Sequence, residues 1–226
     1  MNIIKDYDTL PLGQHLAICE ICERGAMSDE ERQTAINAIL AGLTEEEMLA
    51  LPIMEYREVS AASRFLEEPV VPRRGIAKVY NLGPFALVAA TDITKITAAQ
   101  YIDFQTFARE GRQRLPEILS CLLVPKGKEY NEGYDVLQVH DAIRNHLSIR
   151  DAVTLSAFFL QRFETLIKAT LIYSKLKATM MPKAMRKKTK EEADRLLHLL
   201  QTAGDGLTPC GLALIRPAKV GRTFIG

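Results

Sequence analysis

Apolar residues recur at helical spacing through most of the chain, which predicts a mainly α protein. The first predicted helix starts at Leu12 and ends near Gly25. Further helix starts are marked by capping boxes, in which a hydroxyl and a carboxylate or amide bind free backbone amides reciprocally. Four such boxes are present: Ser28 with Glu31, Thr44 with Glu47, Thr97 with Gln100, and Thr189 with Glu192. After Pro52, one more helical face is predicted from Ile53, Tyr56, Val59, Ser60, Ser63 and Leu66.

Near the middle of the chain the apolar spacing changes to that of a β-strand. Residues 76–81 and 85–90 are β-type runs on either side of Gly83, which predicts a β-hairpin. These are the only strands that the sequence predicts. The preceding segment 69–74 contains two prolines and two arginines and is predicted to be a linker.

Helical spacing returns at Thr97 and continues through the second half. It predicts helices over residues 115–124 and 136–146, separated by a polar loop over residues 126–135. Ser148 then begins a long helix whose apolar residues run almost all round it. A helix of this kind is usually central to a core or buried in an interface.

Two stretches of the first half recur in the second half in the same order. Residues 10–25 align with residues 96–111, and residues 51–65 align with residues 147–161. We therefore expect two related helical repeats with one β-hairpin between them. The expected units are residues 1–72 for the N-terminal repeat, 73–95 for the hairpin and connector, 96–203 for the second repeat with the long helix and a basic connector, and 204–226 for a flexible tail.

Composition excludes several classes of protein. Hydrophobic residues at 47% and charged residues at 25% match a soluble globular chain and exclude a collagen or a wholly disordered protein. Four cysteines are too few for a disulfide scaffold and fit a reducing compartment. The strongest apolar stretch, residues 152–161, has about half of the roughly 20 residues that span a bilayer. We therefore expect a cytoplasmic protein without a membrane partner.

Charge is uneven along the chain, although the formal net charge is only +1. Residues 20–68 contain 12 acidic and four basic residues, a formal charge of −8. Residues 175–190 contain seven basic residues and no acidic ones. This basic run could bind nucleic-acid phosphates, dock on an acidic protein surface or serve as a solvated connector. Three methionines in it favour a protein partner, and the lack of interleaved aromatic residues argues against nucleic acid.

One set of side chains has the spacing of a metal site. His15, Cys19 and Cys22 lie one turn apart on a predicted helix and could share a metal ion. A structural zinc site needs a fourth ligand, usually from a second close pair, and Cys121 and Cys210 are isolated. The alternative, which we favour, is that the two cysteines are small apolar residues on a core face.

Candidate catalytic residues are few. His140 beside Asp141, with His146 nearby, could take part in acid–base chemistry, and the alternative is a pair of histidines near a helix end. The sequence has no G-x-S-x-G, phosphate-loop or dinucleotide-binding motif. We therefore expect no enzymatic activity, no metal and no cofactor.

The loop over residues 125–135 collects Lys, Tyr, Asn and Gly residues in one place. It could bind a phosphate or a partner protein, or it could be a solvated turn that lengthens the second repeat. Both interpretations stay open from the sequence.

Three phrases of the sequence together are similar to a known family. They are ERQTAINAILAGLTEEEMLALPIMEYREVSAASRFLEE (residues 31–68), DITKITAAQYIDFQTFAR (92–109) and LPEILSCLLVPKGKEYNEGYD (115–135). The chain thereby resembles the tail assembly chaperones of tailed bacteriophages and prophages over about residues 10–173. The family has no catalytic motif, so the resemblance assigns no role to an individual residue.

The resemblance implies a partner and a task. Proteins of this family keep the long tape-measure protein soluble while the tail tube protein polymerises around it, and they are absent from the finished virion. The tape-measure protein is the expected partner, and the tail tube protein is a second candidate. Because tape-measure proteins are typically helical, docking of a helix in an apolar groove is the expected mode of binding.

Our leading hypothesis is therefore a non-enzymatic chaperone or adaptor of tail assembly. Alternatives are a minor structural component of the virion, from the tail or the head-completion apparatus, and a nucleic-acid-associated phage protein that uses residues 175–190. The candidate partner-binding residues are Phe158, Phe159, Phe163, Ile167 and Tyr173 of the long helix, Tyr130 and Tyr134 of the loop, and Lys183, Arg186, Lys187 and Lys188 of the basic run.

Overall fold

The computed structural model describes residues 3–25 and 27–179, with the backbone alone at residue 164 and residues 166–179. Within these residues the fold is mainly α, as predicted, with a small antiparallel sheet. The helices are α1 (Leu12–Glu23), α2 (Asp29–Ala41), α3 (Glu45–Leu49), α4 (Ile53–Ala62), α5 (Ala98–Arg109), α6 (Leu115–Ser120), α7 (Val136–His146) and α8 (Ile149–Thr179). The strands are β1 (Val79–Leu82), β2 (Phe85–Ala89) and β3 (Leu123–Pro125). The predicted helix after Thr189, Cys210 and the tail 204–226 lie outside the described residues.

The capping boxes set the starts of three helices. At α2, the Ser28 hydroxyl accepts a hydrogen bond from the Glu31 amide at 3.2 Å, and the Glu31 carboxylate accepts one from the Ser28 amide at 2.8 Å. Helices α3 and α5 begin with the same reciprocal pair. The predicted starts of these three helices are confirmed. Each box spans only four residues, so the local sequence is enough to predict it.

Helix α8 is the longest helix, and its first half lies in the core. Its start is fixed by Ser148, whose hydroxyl accepts from the Asp151 amide at 3.1 Å. Further along, the Phe159 side chain is fully buried, and the Phe163 ring stacks on Phe104 of α5 with the ring centroids 4.9 Å apart. The apolar pattern of this helix thus reflects burial on several sides.

The predicted hairpin forms between β1 and β2. Their register runs from Val79 opposite Val88 to Leu82 opposite Phe85. Gly83 makes the turn with a φ of 57°, a left-handed conformation that glycine adopts without strain. The observed strands are slightly shorter than the predicted runs.

The prediction of a single helix over residues 115–124 is wrong. Helix α6 ends at Ser120, and Leu123–Pro125 form a third strand that pairs with β2. Within that pairing Leu87 lies opposite Pro125, and Ala89 lies opposite Leu123. The far edge of β2 supplies the hydrogen-bond partners of β3, so this strand depends on a contact that is distant in sequence.

The N-terminal segment is joined to the junction of α7 and α8. The Leu12 amide donates to the Leu147 carbonyl at 2.8 Å, and the Ile149 amide donates to the Leu10 carbonyl at 2.9 Å. Pro11 and Ser148 form a β-bridge between these two hydrogen bonds. The start of α1 is therefore held directly against the start of α8.

The predicted linker is anchored by Arg73. Its guanidinium forms ion pairs with Asp8 and Asp151, and its backbone amide donates to the Thr154 hydroxyl at 2.9 Å. Arg150 also pairs with Asp8, at 2.5 Å. These side chains are partly exposed, so each pair contributes little stability by itself. Together they hold the segment against the N-terminus of α8.

Two hydrophobic clusters form the interior. The larger cluster takes buried side chains from α1, α2, the sheet, α5, α6, α7 and α8. The smaller cluster lies where α2 packs on α3 and α4, and its buried members are Ala38, Ala41, Met48 and Val59. Helices α3 and α4 are thus attached to the body mainly through α2.

The proposed duplication stays a prediction. Helices α1 and α5, at the first pair of aligned stretches, are both 12 residues long. Helices α4 and α8 begin at the aligned positions Ile53 and Ile149, but α4 ends at Ala62 whereas α8 continues to Thr179.

Replacing Gly13 with alanine should destabilise the protein by about 1–2 kcal/mol. A Cβ atom at Gly13 would lie 2.7 Å from Cγ and 3.0 Å from the carbonyl oxygen of Arg144, because α1 and α7 approach closely there. Alanine is normally the better helix former by about 1 kcal/mol, so the crowding reverses the usual sign. Urea unfolding would measure the change. Gly75→Ala is the control, since a Cβ there meets nothing within 4 Å. Equal stability of the two variants would contradict the crowding.

Candidate functional site

The His15, Cys19 and Cys22 group lies on α1. His15 is 1% exposed, and its Nε2 lies 3.5 Å from the Cys19 sulfur. Burial and the positive charge of Arg112 lower the pKa of His15 to about 4, and burial raises the pKa of Cys19 to about 11. At neutral pH both groups are uncharged, as expected of residues on a core face. Among the described residues, no group of three or more His, Cys, Asp or Glu side chains could hold a metal ion.

His140 is half-buried on α7, where its neighbour is an aromatic ring. Phe107 of α5 lies edge-on to the imidazole, with ring centroids 6.3 Å apart. Burial lowers the pKa of His140, which favours the neutral imidazole. Asp141 and His146 are exposed on the same helix. The structure therefore gives His140 a packing role between α5 and α7.

The loop over residues 126–135 packs its two tyrosines inward. The Tyr130 hydroxyl donates to the Asp103 carboxylate at 2.9 Å, and burial together with its contacts to Cys121 and Asp103 raises its pKa. The Tyr134 hydroxyl accepts from the Asn131 amide at 3.0 Å. Both rings are half-buried against the larger cluster. Both hydroxyls thus have partners within the protein, and the predicted role of Tyr130 and Tyr134 in partner binding stays a prediction.

The predicted binding role of two residues of α8 is corrected. Phe159 is fully buried in the core and Phe163 is 4% exposed, so neither can form a binding surface. Phe158 is half-buried, and the Arg162 guanidinium lies 5.1 Å from its ring centroid. The side chains of Ile167 and Tyr173 lie outside the described part of the structure. Lys183, Arg186, Lys187 and Lys188 are likewise outside the described residues.

The strongest candidate for a binding surface is the junction of α3 and α4, which the sequence did not single out. Leu49 is 70% exposed, Ile53 is 64% exposed and Met54 is 70% exposed, and Ala50 and Pro52 between them are also exposed. We call residues 49–54 the apolar tip. The signal in the sequence is six consecutive apolar residues, LALPIM, at a helix junction. Helical spacing instead grouped Ile53 on one face with Val59 and Leu66, which are buried.

Local structure explains why these side chains point outward. Met48 is fully buried in the smaller cluster, and Leu51 packs against the same cluster. Pro52 occupies the N-cap position of α4 in an extended conformation. The chain therefore turns around Met48 and Leu51, and Leu49, Ile53 and Met54 remain on the outside of that turn.

Acidic residues flank the apolar tip on both sides in the chain. Residues 45–58 contain one base, Arg57, and a formal charge of −4. The five acidic residues are all exposed: Glu45, Glu46, Glu47, Glu55 and Glu58. Glu47 is engaged in the capping box of α3, where its carboxylate accepts from the Thr44 amide at 2.8 Å. The result is an exposed apolar centre with an acidic rim, a combination that marks binding surfaces.

Comparisons with protein-family models, curated proteins and solved structures give no match. Of the helices within the described residues, none has the length and apolar character needed to cross a membrane.

Proposed function

We propose that this chain is a non-enzymatic chaperone or adaptor of tail assembly in a tailed bacteriophage or prophage. It acts in the cytoplasm of the bacterial host, where it binds apolar helical segments of the tape-measure protein and keeps that protein soluble during tail morphogenesis. The observation that carries the proposal is the apolar tip, which lies within one of the phrases similar to the family, residues 31–68.

The chemistry of the apolar tip suits a transient chaperone. Covering Leu49, Ile53 and Met54 would contribute about 1–2 kcal/mol for each side chain. Much of this gain is offset by the entropy lost on association, so binding through the apolar tip alone is weak and reversible. The acidic rim keeps the free protein soluble and favours client segments that carry basic residues.

Leu49→Gln combined with Met54→Gln should weaken capture of the partner. Glutamine keeps the approximate size of both side chains and removes their apolar ends. The apolar tip then loses about 2–4 kcal/mol, and we expect affinity for the partner to fall at least about 30-fold. The measurement is affinity capture from cells that express the phage genes, followed by mass spectrometry. The matched control is Leu137→Gln, because Leu137 on α7 is 70% exposed, as Leu49 is.

The same experiment separates the alternatives. Recovery of one very long helical tail protein that depends on Leu49 and Met54, with this chain missing from purified particles, supports the proposal. Finding the chain in purified particles would instead make it a virion component. Recovery of nucleic acid that is lost in Lys187→Glu with Lys188→Glu would favour the nucleic-acid alternative.

A further inference from the structure

The chain carries a segment whose chemistry matches the apolar tip. Residues 180–190, MMPKAMRKKTK, contain five basic residues and three methionines and no acidic residue. The apolar tip presents leucine, isoleucine and methionine side chains inside a rim of five exposed glutamates. We propose that residues 180–190 of one copy of the chain dock on the apolar tip of a second copy.

Charge and shape of side chains both support this pairing. The region 45–58 has a formal charge of −4, and the segment 180–190 has a formal charge of +5. Methionine is unbranched and adapts to irregular apolar surfaces, so Met180, Met181 and Met185 can cover the tip while the basic residues reach the rim. Opposite charges around an apolar centre also fix the orientation of docking.

The course of α8 favours a second copy over the same chain. The backbone of α8 continues for 16 residues after Phe163, to Thr179. At 1.5 Å per residue this extends the backbone by about 24 Å. Helix α8 packs on α1, α6 and the turn 93–95, whereas α3 and α4 pack on α2. The segment thus follows the end of a helix that packs on elements other than α3 and α4, which favours the tip of another copy as its docking site.

Docking of this kind joins unlike surfaces of two copies. Such head-to-tail contacts either close into a ring or continue as an open chain, depending on the rotation between neighbours. Because the five glutamates of the rim are exposed, the association weakens as salt is added. An occupied tip is also covered, so a tape-measure segment would have to displace residues 180–190 to reach it. This competition rests on the proposed function.

Sedimentation of the purified full-length chain tests the proposal without any phage protein. At about 50 mM salt the average mass should rise with protein concentration above the monomer, and at about 500 mM salt it should return towards the monomer. The monomer mass is 25.3 kDa. Failure of this test leaves the proposed function standing, because the two use separate measurements.

Charge reversal identifies the two surfaces. Lys187→Glu with Lys188→Glu lowers the formal charge of the segment from +5 to +1, and Glu46→Lys with Glu55→Lys changes that of residues 45–58 from −4 to 0. Each double variant should weaken self-association roughly tenfold or more, because most of the charge attraction is lost. Mixing the two double variants should restore association in pairs, because the unchanged segment of one variant meets the unchanged tip of the other. The control is Glu129→Lys with Glu132→Lys, which changes the net charge by the same amount at two exposed loop positions.

Two results would overturn the proposal. One is that the protein stays a monomer at low salt across the whole concentration series. Docking of the segment on its own chain would give this result. The other is self-association that neither double reversal weakens, or that the Glu129 and Glu132 control weakens equally.

Discussion

Replacing Phe159 with alanine should lower the free energy of unfolding by about 3–5 kcal/mol. The ring is fully buried in the larger cluster, in the part of α8 that packs inside the core. Its removal loses the hydrophobic gain of the whole ring and leaves a cavity that packed neighbours fill only in part. Since domains are usually stable by about 5–15 kcal/mol, this one change removes a large fraction of the total. Urea unfolding followed by circular dichroism would measure it.

Phe158→Ala is the matched comparison, one position earlier on the same helix. Phe158 is half-buried against the larger cluster, with the edge-on ring of Phe159 at 5.4 Å between centroids and the guanidinium of Arg162 above its own ring. The expected loss is about 1–2 kcal/mol, from a smaller buried area and one cation–π contact. If both alanine variants lost the same stability, the division of α8 into buried and half-buried sides would be wrong.

The stability of the protein should fall by about 3 kcal/mol between pH 7 and pH 4 because of His15 alone. The pKa of His15 in the folded protein is about 4, against an ordinary value of 6.5. As the pH falls below 6.5, the unfolded chain takes up a proton on this imidazole while the folded protein does not. The folded state therefore keeps its full stability above pH 6.5 and loses it as the pH falls towards 4. Protonation would also place a charge in a buried site, which is the cause of the shift.

His15→Leu isolates this contribution. Other groups also titrate on acidification, since the pKa values of Asp6 and Asp92 are lowered in the folded protein and their stabilisation is also lost in acid. The informative quantity is the difference between wild type and His15→Leu, measured by urea unfolding at both pH values. His146→Gln serves as the control, because His146 is exposed. A His15→Leu variant that loses as much stability as the wild type would show that His15 titrates normally.

The features predicted correctly from the sequence depend on near neighbours. Each capping box is complete within four residues, and the hairpin is set by alternating residues around Gly83. These helix starts and this hairpin form from contacts between residues that are close in sequence. By contrast, Leu123–Pro125 form a strand because they pair with the second edge of β2. The spacing of apolar residues in the sequence does not reveal this long-range pairing.

The candidate site was predicted less well, because burial depends on how helices are arranged. A helix that is apolar all round does not distinguish Phe158 from Phe159, and that difference appears only when α5 and the rest of the core are in place. Similarly, Ile53 has the spacing of a core residue. It is exposed because Met48 and Leu51 occupy the smaller cluster beneath the turn.

The pairing of Leu10 and Leu12 with Leu147 and Ile149 has a consequence for synthesis of the protein. Bacterial and other ribosomes add about 5–20 residues per second, so Ile149 is added roughly 7–30 s after synthesis starts. Until then α1 has no partner at its beginning, and the larger cluster lacks α8. Helix α1 can pack on α2 early, but the larger cluster is completed only after the start of α8 has been made, so the core of this chain closes late in synthesis.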